Sequence, residues 1–448
     1  MRFALLGLLM LFPSCASEQA ALPAFTPNVR VGAAAVDIEA DDSMVIGGGI
    51  HPGRATGQEG KLRAVAVVIE KPGSPPVAIV ACDVLMMDRA LLDRAIAEIV
   101  KITPIPASHI LINATHTHHA PTSCTVHGYA VDTVFSERVV RAIVESVSQA
   151  AASRGEASFH FARGQESTVG QNSRLLLGDN TIFWIGDRKD ALRPTGPFDP
   201  ELPVLAFRDS ANKLRALLFN HSTHSIGTRK GGVRSPSFYG LAAQELEAEL
   251  GGTVSFLEGA SGSTHNLGAL SCDEMAHRIK ETVRETLAKA EPRAVDAIVA
   301  LKREFAYRVR KFDEAKEDEA VSAYCRKRAP GGADGIIEVF RKQRQVLAPQ
   351  QGQERKSWIQ AIRIGDVALV GVPAEFFTTL GLEIKRRSPF RHTYVAELAN
   401  DWIGYLPDRK GFELGGYQTW TGLHSFTEQG TGEAVVEEAL KLLDQLAR

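Results

Sequence analysis

Arg63 to Glu70 has the sequence RAVAVVIE, and Pro76 to Val84 has the sequence PVAIVACDV. Both segments are short, apolar and rich in β-branched residues, which is typical of strands buried on both faces. Asp88 to Ile102 has the apolar spacing of a helix, and His109 to Asn113 (HILIN) is again strand-like. A strand, a helix and a strand with short connections predict a parallel strand pair in a layered α/β domain.

The same alternation continues to the C-terminus without a linker or an internal repeat that would divide the chain. Further strands are predicted at residues 157–162, 203–208, 214–219, 253–257, 294–301, 358–364 and 367–372. Helices are predicted at residues 136–152, 239–250, 273–290, 313–328, 376–387 and 431–446. Residues 22–60 are rich in Gly, Ala and Pro and predict irregular structure, and residues 330–335 (PGGADG) predict a flexible excursion. The fold class predicted is α/β, with layered mixed β-sheets flanked by helices in one domain over residues 22–448.

The composition is that of a soluble globular protein, with 44% hydrophobic and 23% charged residues among 448. Lys and Arg total 51 and Asp and Glu total 53, so the formal net charge is −2. This balance gives no electrostatic reason to expect nucleic acid or an anionic membrane surface as the main partner. Binding specificity must therefore come from a local site.

The N-terminus predicts export. Met1 and Arg2 precede a short apolar run, residues 3–12, which has the proportions of a secretory signal peptide over residues 1–21. The run LFPSC at residues 11–15 resembles an imperfect bacterial lipobox, which would put a lipid on Cys15; ordinary cleavage near residues 16–21 is the alternative. The predicted location is periplasmic, secreted or lipid-anchored, with membrane-surface association through the lipid or the substrate. The other four cysteines have no CxxC spacing, which argues against a dense disulfide framework.

Residues 113–122, with the sequence NATHTHHAPT, carry the strongest chemical signal. They follow a predicted strand, and α/β proteins place their sites where such strands end. In an extended chain, residues two apart share a face, so His116 and His118 can point into one cavity. Neutral imidazole is a favoured zinc ligand, and three histidines in four residues are costly to bury without a metal or hydrogen bonds. A solvated polar loop is the alternative.

Four more segments offer matching chemistry. Residues 217–224 (LLFNHSTH) form an apolar strand that ends in histidines, and residues 256–266 (FLEGASGSTHN) form a strand followed by a small-residue turn that ends in His265. Glu375 follows an apolar strand, and Tyr405 and Tyr417 lie in Gly-rich turns. Each segment alone could be structural, but their recurrence at strand ends and tight turns predicts one convergent pocket.

Taken together, these motifs resemble the neutral and alkaline, non-lysosomal ceramidase family, zinc amidases that hydrolyse the N-acyl bond of ceramides. The matching segments are residues 115–118 (THTH), 221–223 (HST), 259–262 (GASG) and 373–376 (PAEF), with Tyr405 and Tyr417 twelve residues apart. The resemblance covers residues 28–445, which would be the catalytic domain without the C-terminal immunoglobulin-like domain of classical members. The family's Gly-Asp-Val-Ser loop is replaced by Gly-Ser-Thr-His at residues 262–265, where His265 would stand in for the serine or be structural.

The resemblance implies a zinc ion at strand ends, held by His116, His221, Glu375 and Tyr405. Tyr405 is an unusual ligand, because a free phenol ionises near pH 10 and needs the charge of the metal to bind as phenolate. His224, three residues after His221, is the main rival for the second ligand position.

The resemblance also implies three catalytic residues. His118 would sit beside the metal-bound water, and its residue type can accept and return a proton near neutral pH. Tyr417 would face the scissile carbonyl. Arg174, in Asn172-Ser173-Arg174, is one residue out of step with an Asn-Arg segment of the family and would help Tyr417 stabilise the oxyanion.

The function expected is therefore zinc-dependent hydrolysis of an amide bond in an N-acyl sphingosine or a related N-acyl lipid. One alternative is a zinc hydrolase of the same scaffold that acts on another ester or amide, such as a cell-envelope component. The other is a non-catalytic binding or structural protein that keeps the scaffold.

Overall fold

The computed structural model describes residues 27–268 and 270–448, so the predicted signal peptide with Cys15 lies outside the described residues. The strands are β1 (Val29–Asp37), β2 (Arg63–Glu70), β3 (Val77–Cys82), β4 (Ile110–Ala114), β5 (Gly155–Gln165), β6 (Gln171–Asn172), β7 (Leu175–Leu177), β8 (Ala191–Pro194), β9 (Glu201–Arg208), β10 (Leu214–His221), β11 (Thr253–Glu258), β12 (Thr264–His265), β13 (Glu291–Arg293), β14 (Ile298–Arg308), β15 (Glu354–Ile364), β16 (Val367–Gly371), β17 (Glu375–Phe376), β18 (His392–Ala396) and β19 (Tyr405–Leu406). The helices are α1 (Arg89–Ile102), α2 (Thr133–Ala152), α3 (Ser237–Leu250), α4 (Cys272–Ala288), α5 (Glu314–Arg328), α6 (Ala333–Leu347), α7 (Thr378–Arg387), α8 (Arg409–Leu414) and α9 (Thr431–Leu446).

Two large sheets organise the molecule. The first has the strand order β11-β10-β9-β5-β1-β2-β3-β4, and the second has the order β14-β15-β16-β18. Most neighbours are antiparallel, but β3 with β4, β10 with β11, and β16 with β18 are parallel. Each of these three pairs is joined through a helix, α1, α3 and α7 respectively, as parallel neighbours require. The parallel pair predicted from residues 76–113 is confirmed.

The two sheets face each other and carry helices on their outer faces. A central core joins residues of the first sheet, such as Ile79 and Leu218, to residues of the second, such as Ile362 and Leu369. Helices α1 and α2 cover one half of the first sheet, α3 and α4 cover the other half, and α7 and α9 cover the second sheet. The predicted mixed α/β architecture with flanking helices is confirmed.

Strand β2 illustrates why the sequence selects this arrangement. Its odd-numbered residues Val67 and Ile69 contribute to the core between the sheets, while Ala66 and Val68 contribute to the core beneath α1 and α2. Because side chains alternate across a strand, an unbroken apolar run needs cover on both faces. Each fully buried Val or Ile adds about 1.5–3 kcal/mol of stabilisation.

Two predictions about irregular segments are wrong. Residues 29–37 form β1, which pairs with β2 and β5, although Gly and Ala give it little intrinsic strand propensity. Small residues are needed there because α2 lies directly against it: a Cβ atom on Gly32 would collide with the backbone oxygen of Ala150. Residues 330–332 form a turn, but α6 begins at Ala333, inside the segment predicted to be a flexible excursion.

Cys82, Cys124, Cys272 and Cys325 are buried and form no disulfide with one another, in line with the expectation from their spacing. Within residues 27–268 and 270–448, no helix has both the length and the apolar character that crossing a bilayer requires.

Candidate metal centre

The polar side chains of interest lie where the parallel strands end. His116 comes two residues after β4, His224 three residues after β10, and Glu375 four residues after β16. Parallel neighbours present their carboxyl ends at one edge, so these segments meet. Glu375 and Tyr405 are then set opposite each other by the parallel pairing of β17 with β19.

Three histidines form a compact group, here called the histidine cluster: His116, His118 and His224. Their candidate ligand atoms all lie within 4.8 Å of one another. The Nε2 atoms of His116 and His118 are 3.2 Å apart, and Glu375 Oε2 lies 3.5 Å from Nε2 of His116 and 3.4 Å from Nε2 of His224. Tyr405 completes the group, with its hydroxyl 3.0 Å from Nε2 of His224.

Backbone carbonyls fix the orientation of all three imidazoles. Nδ1 of His116 is 2.9 Å from the oxygen of Leu85, and Nδ1 of His118 is 3.0 Å from that of Gly48. Nδ1 of His224 is likewise 3.1 Å from the oxygen of Ser261. A carbonyl oxygen only accepts, so each Nδ1 carries a hydrogen and each ring turns its Nε2 toward the cluster.

Burial keeps the rings of His116 and His118 neutral. It is the largest influence on both, and it acts with the neighbouring imidazoles to lower the pKa of His116 to about 4 and that of His118 well below its usual value. Burial raises the pKa of Glu375, but its contacts with His224, His116 and Tyr405 outweigh this and lower it to about 2. The site therefore gathers imidazole lone pairs and one carboxylate anion in a buried space.

These donors fit a divalent cation. Lone pairs of Nε2 atoms that face each other and an anionic carboxylate repel without a positive charge between them. Imidazole nitrogen and carboxylate oxygen are zinc ligands, and hydrogen bonds from the remote ring nitrogen to carbonyls are the usual way of orienting metal-binding histidines. The residues that could hold the ion are His116, His118, His224, Glu375 and Tyr405.

The structure does not bring His221 to this group. Its Nδ1 lies 2.5 Å from the hydroxyl of Tyr239 and its Nε2 lies 2.9 Å from the backbone oxygen of Glu166. The reason is strand alternation: Leu217 and Phe219 face the core beneath α3 and α4, and His221 continues that face. His224, the rival predicted from the sequence, occupies the position expected of His221.

Arg174 is also not turned toward the cluster. Its guanidinium donates to the side-chain oxygen of Gln418 (2.7 Å) and to the backbone oxygens of Gly411 (3.0 Å) and Gly415 (2.6 Å). All three acceptors belong to residues 411–418, here called the tyrosine loop because it carries Tyr417. Arg174 therefore holds the loop, whereas the sequence predicted a direct role beside the substrate.

Tyr417 lies at the edge of the cluster, with its ring centroid 5.7 Å from that of Tyr405. Its ring is stacked between Trp184 and His424, at centroid distances of 4.5 and 4.6 Å. Burial, followed by the negative charge of Glu375, raises the pKa of Tyr417 well above its usual value. Its hydroxyl is therefore protonated at neutral pH and can donate a hydrogen bond.

His265 packs against the cluster without entering it. Its ring stacks on that of His224 at a centroid distance of 5.5 Å, and burial lowers its pKa to about 3. Ser263, from the same Gly-Ser-Thr-His segment, hydrogen-bonds Thr378 and so faces α7.

Three residues of the site were missed from the sequence. Trp402 donates its ring N–H to Oε1 of Glu375 at 3.3 Å, and His127 and His424 lie beside Tyr417. His127 follows the Thr-His-Thr-His segment by only nine residues, and Trp402 precedes Tyr405 by three, so proximity to the motifs was the available signal.

Comparisons with known proteins give structural matches. No protein-family model matches the chain, and no curated protein matches its sequence. A solved structure described as a ceramidase complexed with C2 matches with a TM-score of 0.74 and 19% identity, covering 94% of this chain and 76% of that one. The neutral ceramidase from Pseudomonas aeruginosa matches with a TM-score of 0.72 and 20% identity, covering 94% of this chain and 75% of that one. The chain therefore has the fold of neutral ceramidases.

Proposed function

We propose that the protein is a zinc-dependent amidase that hydrolyses the N-acyl bond of a ceramide or a related N-acyl lipid. The observation that carries the proposal is the convergence of bare imidazole nitrogens and the Glu375 carboxylate in one buried space. The shared fold with ceramidases supports the choice of reaction, and one of those proteins is described as bound to C2.

In this proposal the ion is held by His116, His224, Glu375 and Tyr405, with His224 in place of His221. Bound zinc would supply a Lewis acid for the amide carbonyl and lower the pKa of water from 15.7 to about 7. Trp402 supports the ligand set by donating to the second oxygen of Glu375, which leaves the first oxygen directed at the imidazoles.

His118 is assigned the role of general base. It is the most exposed of the three clustered histidines, and its bare Nε2 faces the same space as those of His116 and His224. Nε2 accepts a proton from the attacking water and returns it to the leaving nitrogen, while the C–N bond breaks and the new C–O bond forms. Gly48 fixes this orientation through its carbonyl, at a position with φ of 100° where a Cβ atom would collide with the His118 ring.

Tyr417 is assigned the role of oxyanion donor. Its protonated hydroxyl lies beside the cluster, and a donor of this kind typically contributes a hundredfold or more to the rate, about 3 kcal/mol. His127, which contacts this hydroxyl, also lines a cavity of about 340 Å³ that opens to the surface, where polar residues and the apolar side chains of Ile50, Val339 and Val346 form the wall. Such a lining suits a hydrocarbon chain attached to the scissile amide.

Metal analysis and a hydrolysis assay test the proposal together. The purified full-length protein should contain one zinc per chain and release fatty acid from a fluorescent N-acyl-sphingosine. Chelation should abolish the release and added zinc should restore it, and His116→Ala should lose both metal and activity. A wild-type protein that binds no divalent metal would overturn the proposal. Metal-dependent hydrolysis of a different amide would retain the mechanism and replace the substrate.

A further inference from the structure

A chain of hydrogen bonds leads from α6 to the hydroxyl of Tyr417. The amide nitrogen of Gln343 lies 3.2 Å from Nδ1 of His127, and Nε2 of His127 lies 3.1 Å from the Tyr417 hydroxyl. His127 and Gln343 are 6% and 1% exposed, so both side chains are almost fully buried. In the function proposed above, His127 only forms part of the cavity wall, and neither residue has a role in the reaction.

The direction of every bond in this chain can be deduced from one backbone group. The N–H of Leu423 can only donate, and it lies 2.7 Å from the side-chain oxygen of Gln343. This contact fixes the Gln343 amide, so that its NH2 group faces His127. Nδ1 of His127 must then accept, because an N–H there would oppose the N–H of Gln343.

The neutral His127 ring consequently carries its hydrogen on Nε2 and donates it to the oxygen of Tyr417. Burial and the nearby His424 lower the pKa of His127 to about 3, in agreement with a neutral ring. With its oxygen already accepting from His127, the Tyr417 hydroxyl must direct its own hydrogen elsewhere. Within the described residues no second protein group takes that hydrogen.

We propose that Gln343 and His127 are positioning residues that force the Tyr417 hydroxyl to donate into the active site. If His127 carried its hydrogen on Nδ1, Nε2 would attract the Tyr417 hydrogen and turn it away from the substrate carbonyl. A hydrogen bond received by the phenol oxygen also polarises its O–H bond and strengthens it as a donor. The inference rests on the proposed function, since it assigns the supporting groups of the same oxyanion donor.

The tautomer can be measured without any substrate. Full-length protein with 15N-labelled histidine would be examined by long-range 1H–15N correlation NMR, and the signals lost in His127→Gln identify residue 127 among the 13 histidines. We expect the Nε2–H form. An Nδ1–H form, or a charged ring at neutral pH, would overturn the inference whether or not the protein is an amidase.

Two variants with side chains of similar length test whether the hydrogen-bond donor of His127 affects catalysis. His127→Gln keeps an N–H donor near the position of Nε2, whereas His127→Met keeps the volume and removes the donor. We expect His127→Met to lower kcat by about 10- to 100-fold with little change in KM, since the complete loss of an oxyanion donor costs about a hundredfold or more. His127→Gln should recover most of this loss, and thermal unfolding should show both variants folded. Equal losses in the two variants would mean that the donor at Nε2 does not account for the effect of His127, which also overturns the inference.

These experiments distinguish a failure of the positioning role of His127 from a failure of the proposed amidase function. A wild-type protein that hydrolyses no N-acyl amide removes the proposed function and the catalytic role of His127 together, while the NMR experiment still decides the tautomer. Activity in the wild type with no kcat difference between His127→Gln and His127→Met leaves the proposed function intact and removes only the positioning role.

Discussion

The histidine cluster and the tyrosine loop face the same space, but they are held there in different ways. His116 and His224 follow strand ends closely, and their rings are tied to backbone carbonyls. Tyr417 lies in a short 3₁₀ turn and is held by side chains distant in sequence, Arg174 and Trp184 among them. If the proposed function holds, substitutions in the first region should reduce metal binding, and substitutions in the second should reduce turnover while the metal is retained.

The largest effect is expected at the end of β10, where His221 is the last residue of the strand and His224 follows three residues later. His224→Gln removes a ring nitrogen that faces Glu375 and should lose bound zinc and all hydrolysis. His221→Gln is the matched control, because His221 hydrogen-bonds Tyr239 and Glu166 outside the cluster; it should lower thermal stability and retain zinc. Metal content and melting temperature check both variants. Loss of zinc in His221→Gln but not in His224→Gln would return the ligand position to His221.

Tyr417→Phe should have the next largest effect. The ring would keep its place between Trp184 and His424, but the oxyanion would lose a donor, so kcat should fall about a hundredfold. Zinc content should remain equal to that of the wild type. Steady-state kinetics with parallel metal analysis check this, and a loss of zinc would contradict the separation between the two regions.

Arg174→Lys should have a smaller effect on activity. Lysine keeps the positive charge but cannot bind Gln418 and two carbonyls of the tyrosine loop with one planar group. The loop should loosen, and kcat should fall by about tenfold with zinc unchanged. Kinetics and limited proteolysis within residues 411–418 provide the two measurements. If kcat fell as far as in Tyr417→Phe while the loop stayed protected, Arg174 would contact the substrate directly.

Trp402→Phe should have the smallest effect. It removes the 3.3 Å bond to Oε1 of Glu375 and keeps an aromatic ring at the position. Zinc affinity should fall by up to about tenfold, as for other outer hydrogen-bond partners of metal ligands. Competition with a fluorescent chelator measures this. At saturating zinc, kcat should equal that of the wild type, and a persistent defect would assign Trp402 to the chemistry.

Much of the fold could be predicted from the sequence because buried strands leave a strong local pattern. Residues 64–69 and 76–82 are apolar throughout, which requires cover on both faces, and the helix between β3 and β4 sets a parallel pair. The same logic brought His116 and Glu375 together, since both follow such strands. The alternation of side chains along β10 also indicates that His221 lies outside the histidine cluster, because Leu217, Phe219 and His221 share one face of the strand.

The remainder could not be predicted because it depends on contacts between segments far apart in the chain. Gln343 and His127 are separated by 216 residues, and Arg174 and Gln418 by 244. No local periodicity encodes such pairs. β1 was missed for a related reason. It needs small residues such as Gly32 because α2 packs closely against it, and these residues have little strand propensity of their own.

Helices α5 and α6 occupy a position that the sheet itself does not require. Strands β14 and β15 pair without interruption up to Arg308 opposite Glu354, so a short turn could join them. The chain instead places the two helices there, and α6 supplies Gln343 to His127 and Phe340 to the aromatic group around Tyr417. The segment that contains α5 and α6 could therefore change in length and composition while the pairing register of β14 with β15 stays the same. Substitutions in α5 and α6 could therefore alter the surroundings of Tyr417 without changing the strands that position the histidine cluster.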